Sequence, residues 1–147
     1  MSTLLEVNSM YIPSLEPSSS CMVSNEFDYE GFVEIMLHNE KLGTRIFPEH
    51  GNWETWAVKK KVNINLYLNL QGDIKTCKYK AEKTTFVKIS RWIYQVQGRI
   101  IGSEESEYYL LGFPEIELDN EIIDYYHSMP NKNLSILFTG GIWGDDN

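Results

Sequence analysis

The chain has few cysteines and no long apolar segment. It contains two cysteines, Cys21 and Cys77, in 147 residues, too few for the disulfide framework of a small secreted domain. The N-terminal residues also lack the basic segment of an export signal. We therefore expect reduced thiols and a cytoplasmic location. Apolar runs extend over only a few residues, whereas a membrane-spanning helix needs roughly 20, so we expect a soluble protein without a membrane partner.

Recognisable catalytic and metal-binding motifs are also missing. The three histidines, His38, His50 and His127, lie far apart in the sequence and lack the close spacing of zinc ligands. No glycine-rich loop precedes a helix in the way that phosphate binding requires. Cys77 is a lone cysteine on a predicted strand, where packing is a commoner role than nucleophilic catalysis. We expect no metal, no cofactor and no enzymatic activity.

The length and composition are those of one globular domain with a large share of aromatic residues. A chain of 147 residues is close to the commonest domain size of about 100 to 150 residues, so we predict a single domain over residues 1–147. With 42% hydrophobic and 23% charged residues, intrinsic disorder is not expected. Aromatic residues make up 13% of the chain, more than a core of this size needs, so some should lie at the surface.

The net charge of −8 is unevenly distributed. Residues 1–58 carry nine acidic and two basic side chains, residues 59–99 carry two acidic and ten basic ones, and residues 100–147 carry ten acidic and one basic. Cross-strand ion pairs would neutralise the basic block within the fold, and the sequence leaves open whether they do. An unneutralised acidic C-terminal third would attract a basic partner and repel nucleic acid.

The basic middle of the chain raises the question of nucleic-acid binding. Its lysines alternate with Tyr67, Tyr79, Phe86, Trp92 and Tyr94, and aromatic rings on a sheet can stack on bases. The sequence pI of about 4.8 argues against this function, because a nucleic-acid-binding domain typically has a pI above about 9. We therefore expect a protein partner.

Alternating hydrophobicity predicts several strands. Every even-numbered residue of Val62–Leu70 is aliphatic and every odd-numbered one is Asn or Tyr, which is typical of a half-buried strand. Gln71-Gly72-Asp73 follows as a turn signal before Ile74–Lys80, so the pattern predicts a hairpin. Residues Tyr29–His38 alternate in the same way and predict a further strand.

The C-terminal half adds strands and a single helix. We predict strands at Phe86–Gln97, Tyr108–Phe113 and Leu134–Thr139, the last one ending at a Gly140-Gly141 break. Residues 119–129 form a predicted helix, because Asp119 is a good N-cap residue and a proline follows Met129. The predicted fold class is α+β, a mostly antiparallel twisted β-sheet with one C-terminal helix.

The acidic C-terminal third supplies the candidate binding residues. Trp143 stands two residues before Asp145 and three before Asp146. Its ring either closes the core or forms an exposed anchor for a partner, and the second alternative is suggested by the enrichment of tryptophan in interface hot spots. The candidate partner-binding residues are Glu104, Glu105, Glu107, Tyr108, Glu115, Glu117, Trp143, Asp145 and Asp146.

The chain resembles the immunity proteins of bacterial contact-dependent growth inhibition and related polymorphic toxin systems. The resemblance consists of its small size, its acidity, its excess of aromatic residues and the helix segment Ile122–Met129. Those proteins are small α+β domains that neutralise a cognate toxin domain, often a basic nuclease. The resemblance implies a non-enzymatic inhibitor in which acidic groups meet toxin lysines and arginines, and it transfers no individual functional residue.

Two alternatives remain open. An acidic inhibitor encoded by a phage or mobile element and directed against a host defence nuclease would have the same charge. A small-molecule-binding β-barrel or small enzyme would need an internal polar cavity, which Asn63, Asn65 and Asn69 could line. The oligomeric state is not indicated by the sequence.

Overall fold

A computed structural model describes residues 2–11, 31–48, 56–102 and 107–146. In chain order the strands are β1 (Thr3–Tyr11), β2 (Gly31–Leu37), β3 (Glu40–Phe47), β4 (Lys61–Thr76), β5 (Thr85–Lys88), β6 (Ile93–Gly98), β7 (Ile100–Gly102), β8 (Tyr108–Leu110), β9 (Ile116–Leu118) and β10 (Ile136–Asp145). The helix α1 (Asn120–Ser128) lies between β9 and β10 in the chain. No helix in these ranges has the length and hydropathy needed to cross a membrane.

The described residues form two compact units. The first unit comprises the described residues of Met1–Asn65 and Trp143–Asn147, and the second comprises those of Leu66–Ile142. The two longest strands, β4 and β10, contribute residues to both units. The single domain expected from the chain length stays a prediction.

Five strands build the first unit, in the order β10-β3-β2-β1-β4. β2 and β3 form a hairpin with a two-residue turn at His38 and Asn39, whose φ angles of 52° and 66° suit the left-handed conformation of a type I′ turn. β1 is antiparallel to β2 and β4, whereas β10 is parallel to β3.

Aliphatic side chains at alternate positions of these strands form the core of the first unit. They are Leu5, Val7, Val33, Ile35, Leu37, Leu42, Ile46, Val62 and Ile64, all buried. Alternation in β2 and at the start of β4 therefore agrees with the burial of these side chains. Because successive side chains of a strand point to opposite sides, the intervening residues lie on the other side, which we call the outer face of the first unit.

The second unit contains α1 and both parallel and antiparallel strand pairs. β6 is antiparallel to β5 and β10, β7 is antiparallel to β8, and β9 is parallel to β4. The strand-rich α+β class with a helix near the C-terminus is confirmed, but the predicted mostly antiparallel sheet is corrected to a mixed one. Strand direction was not predictable from alternation, because the two parallel pairs join segments far apart in the sequence.

The predicted hairpin at residues 62–80 is wrong. β4 is a single strand of 16 residues, Lys61–Thr76, and continues through Gln71, Gly72 and Asp73 without a turn. β10 is one of the strands that pair with it, and a Cβ atom on Gly72 would lie 3.9 Å from Cβ of Thr139 in that strand. A Gly-Asp pair permits a turn but does not impose one, and pairing with a distant strand keeps the chain extended here.

Two other predicted strands have different limits. The segment Phe86–Gln97 is divided into β5 and β6 by a turn at residues 89–92, so the prediction of one strand there is wrong. β10 runs through Gly140 and Gly141 instead of ending before them. These glycines permit close packing: a Cβ atom on Gly140 would lie 2.8 Å from Cδ1 of Leu68.

The predicted helix is confirmed with its capping residue. Asp119 is the N-cap of α1, and its Oδ1 atom accepts a hydrogen bond from the Glu121 N–H at 3.1 Å. The Oδ2 atom accepts another from the Leu70 N–H at 3.1 Å. One carboxylate therefore satisfies an N–H group of the first helical turn, which has no partner within the helix, and also joins the helix to β4.

Candidate partner-binding surface

The structure distributes the candidate residues over both units. Trp143, Asp145 and Asp146 belong to the first unit. The second unit contains the remaining described ones, which are Glu107, Tyr108, Glu115 and Glu117. Glu104 and Glu105 lie outside the described residues. The described candidates are thus divided between the two units, three in the first and four in the second.

Trp143 lies on the outer face of the first unit, at the end of a row that crosses four strands. Trp143 of β10 pairs with Arg45 of β3, Arg45 pairs with Phe32 of β2, and Phe32 pairs with Tyr11 of β1. Directly opposite residues of paired strands share one face and lie close enough to interact. We call these four residues the Trp143 row, and all of them are half-buried.

Ring contacts connect the side chains of this row. The Tyr11 and Phe32 rings stack with centroids 6.1 Å apart. Phe47 lies beside the row and meets the Trp143 ring edge to face at 5.8 Å. The Arg45 guanidinium lies 4.9 Å from the centroid of the Phe47 ring, within the range of a cation–π interaction. These contacts hold the side chains in defined positions, and the Nε1 atom of Trp143 is itself buried.

The burial pattern of β10 shows which side of the strand Trp143 occupies. Its neighbours Ile142 and Gly144 are buried, and Trp143 between them is half-buried. A Cβ atom on Gly144 would lie 2.9 Å from Cγ2 of the core residue Ile64. The Gly144 position therefore faces the core. Trp143 therefore points away from this core and packs on Phe47 at the outer face.

The two C-terminal aspartates form structural hydrogen bonds. Asn65 Nδ2 donates to Asp145 Oδ1 at 2.8 Å, and the indole N–H of the buried Trp56 donates to Asp146 Oδ2 at 3.0 Å. Both aspartates are half-buried. They thus attach the end of β10 to neighbouring segments of the first unit as well as contributing negative charge.

In the second unit, Glu117 borders a shallow polar cavity. Glu117 is exposed and pairs with Tyr67 across the parallel strands β9 and β4. Together with Asn69, Leu118, Asp119 and Asn120, these two residues line a cavity of about 270 Å³. The Asp119 carboxylate caps α1, so this residue of the cavity wall already has a role in stabilising the fold.

Tyr108 packs on the helix of the second unit. Its ring lies 5.7 Å from the ring of Tyr126 and 4.9 Å from that of His127, the latter edge to face. Glu107 is exposed immediately before β8, and Glu115 is half-buried in the turn that precedes β9. Tyr108 thus has a packing role beside α1, with Glu107 next to it at the surface.

The sequence prediction identified Trp143 but not the other members of its row. Arg45 and Phe47 alternate with the core residues Thr44 and Ile46, a pattern that would have indicated β3. Phe32 lies in the strand predicted at Tyr29–His38, but its alignment with Arg45 and Tyr11 depends on strand register.

The chain was also compared with known proteins. No family model, curated protein or solved structure matches it. Within the described ranges, no three His, Cys, Asp or Glu side chains are grouped closely enough to hold a metal ion.

Proposed function

We propose that this protein is a non-enzymatic inhibitor of the immunity type, which binds a cognate bacterial toxin domain in the cytoplasm and neutralises it. The observation that carries the proposal is the Trp143 row. It places three aromatic rings and a guanidinium side by side on the outer face of the first unit, where a partner can cover them.

The residue types of the row suit tight binding. Tyrosine, tryptophan and arginine are the residues most enriched among interface hot spots, and large rings contribute affinity when a partner removes them from water. The ring contacts already order Trp143 and Arg45, so less side-chain entropy is lost when a partner binds.

Charge supports a basic partner. The net charge of −8 accelerates the approach of a positively charged domain and disfavours nucleic acid as the partner. A nuclease toxin domain must itself attract a polyanion and is typically basic. The aromatic row would then provide the affinity, and the acidic side chains would accelerate association.

The proposal is tested by titrating the purified toxin domain encoded beside this gene with the protein. An inhibitor that acts by binding should abolish toxin activity at a molar ratio near one to one. Inhibition that persists with turnover at a ratio of about one to a hundred would instead indicate enzymatic inactivation and would contradict the proposal.

Trp143→Ala tests the surface. We expect it to weaken toxin binding by about 30-fold, which corresponds to roughly 2 kcal/mol for a hot-spot ring, mainly through faster dissociation. Trp92→Ala is the matched control, because Trp92 is a half-buried tryptophan that packs on Gly141 in the second unit. The control should lower the melting temperature and leave the Kd unchanged. Equal Kd values for Trp143→Ala and the wild type would exclude the row as the interface.

A further inference from the structure

β5 lies at one end of the strand order and, among the described residues, pairs only with β6. The Ile89 N–H donates to the Ile93 carbonyl at 2.9 Å. This bond shows that Ile89 and Ile93 form a hydrogen-bonded pair, and such pairs recur at every second residue of an antiparallel ladder. Backbone groups alternate in direction along an antiparallel strand, so those of Thr85 and Val87 point to β6. The N–H and C=O groups of Phe86 and Lys88 therefore point to the open side.

Aliphatic side chains are exposed along the same strand. Val87 is 58% exposed and Ile89, just beyond the end of β5, is 59% exposed. On the opposite face, the Phe86 ring packs edge-on against Phe113 at 5.0 Å and Tyr94 at 6.0 Å, which holds the strand in place. We call the outward backbone groups of Phe86 and Lys88, with the side chains of Val87 and Ile89, the β5 edge.

The surroundings of the β5 edge are basic. Residues 78–91 carry the exposed bases Lys78, Lys80, Lys83, Lys88 and Arg91 and one exposed acid, Glu82. Pairing of two β5 strands from two copies would bring these like charges together, which is unfavourable. An acidic segment would meet opposite charge instead, so charge complementarity selects a different chain as the occupant.

We propose that the β5 edge binds an acidic, extended segment of a partner protein by strand addition. The segment's backbone would pair with Phe86 and Lys88, its apolar residues would cover Val87 and Ile89, and its carboxylates would lie near the lysines. Main-chain hydrogen bonds provide the affinity and alternate side chains the selectivity in this mode of recognition. The exposed side chains of the edge itself are aliphatic and offer no ring for base stacking, which favours a peptide over nucleic acid. This inference does not rest on the proposed function.

The test uses a defined peptide and nuclear magnetic resonance. An acetylated peptide of about eight residues with alternating aspartate and valine, a length suited to one strand, is titrated into the ¹⁵N-labelled full chain. Saturable shifts should appear at the amides of Phe86 and Lys88, and a lysine–valine peptide of equal length should give none. Equal binding of the two peptides, no saturable shift at these amides, or tighter binding of an oligothymidylate of equal length would overturn the proposal.

Two substitutions at one position separate charge from strand pairing. Lys88→Ala removes the charge and keeps the N–H, whereas Lys88→Pro removes both at a position where proline does not break the β5–β6 ladder. We expect Lys88→Ala to weaken peptide binding by about twofold and Lys88→Pro to weaken it by at least about tenfold more, since a main-chain bond and close approach are lost.

A second variant provides a check that does not depend on proline. Val87→Glu places a negative charge on the exposed side of the β5 edge and should also weaken binding of the acidic peptide by about tenfold. Circular dichroism melting curves establish that each variant is folded. If Lys88→Pro binds as Lys88→Ala does, or if a folded Val87→Glu variant binds as the wild type does, the β5 edge is not the binding site.

Discussion

In the first unit, Tyr11, Phe32 and Trp143 lie on the outer face, whereas in the second unit Phe113 and Phe138 are buried in the core. The same class of residue thus has two uses in one chain. An aromatic ring in the core stabilises the fold whether or not a partner is present, whereas a half-buried ring on the outer face retains surface that our proposal assigns to a partner. The position of a ring relative to its strand, and not the aromatic content, distinguishes the two.

The largest expected effect tests this contrast with two phenylalanines. Phe138 is 2% exposed in the second unit, so Phe138→Ala should reduce the free energy of unfolding by about 3 to 5 kcal/mol through lost burial and a cavity. Phe47→Ala at the half-buried outer face of the first unit should cost about 1 to 2 kcal/mol, because less surface is buried. Urea unfolding measures both. Equal losses would contradict the contrast between core and outer face.

Two glycines sharpen the comparison at the backbone. A Cβ atom on Gly144 in the first unit would lie 2.7 Å from the Asn65 carbonyl oxygen, so Gly144→Ala should destabilise by about 1 to 3 kcal/mol. At Gly72 in the second unit the nearest atom would be 3.9 Å away. Gly72→Ala should stabilise by about 0.4 to 1 kcal/mol, because alanine restricts the unfolded chain. Thermal unfolding shows whether each variant is more or less stable than the wild type. A destabilised Gly72→Ala variant would contradict the extended course of β4.

The helix cap tests a contact confined to the second unit. Asp119→Ala removes the acceptor for both the Glu121 and Leu70 N–H groups. We expect a loss of about 1 to 2 kcal/mol in the free energy of unfolding, near the upper end for an N-cap, because two hydrogen bonds are broken. Asp119→Asn is the matched control and should lose an intermediate amount of stability, because its one side-chain oxygen can accept from only one of the two N–H groups. An Asp119→Ala variant as stable as the wild type would contradict the role of these hydrogen bonds.

The smallest expected effect concerns the exposed acids of the second unit. Glu107→Gln combined with Glu117→Gln should slow association with a basic toxin domain by about twofold to threefold and reduce its dependence on salt, because steering acts within a Debye length of about 8 Å. Dissociation should not change. Stopped-flow binding at several ionic strengths provides the measurement. An unchanged on-rate at low salt would contradict electrostatic steering by these two acids.

Some features were accessible from local sequence. The inward positions of Ile64 and Leu66 follow from a strict period of two, and the helix follows from Asp119, its apolar positions and Pro130. In each case the physical cause acts within a few residues. Trp143 also stood out locally, as an aromatic ring next to a glycine and near two acids.

Other features depend on residues that are distant in the chain. Gln71-Gly72-Asp73 has the composition of a turn, yet it stays extended because β10 pairs with β4. Gly140 and Gly141 have the composition of a break, yet they permit close packing inside β10. The parallel pairs β3–β10 and β4–β9 have no local sequence signal, because each joins strands separated by many residues.

The candidate surface shows the same division. Residue type and alternation place Trp143 on a strand and leave its environment open. Its neighbours Arg45, Phe32 and Tyr11 come from three other strands, and they are aligned by backbone pairing. Alternation along one strand specifies which residues share a face, but register between strands specifies which of them meet, and register depends on the packing of the complete core.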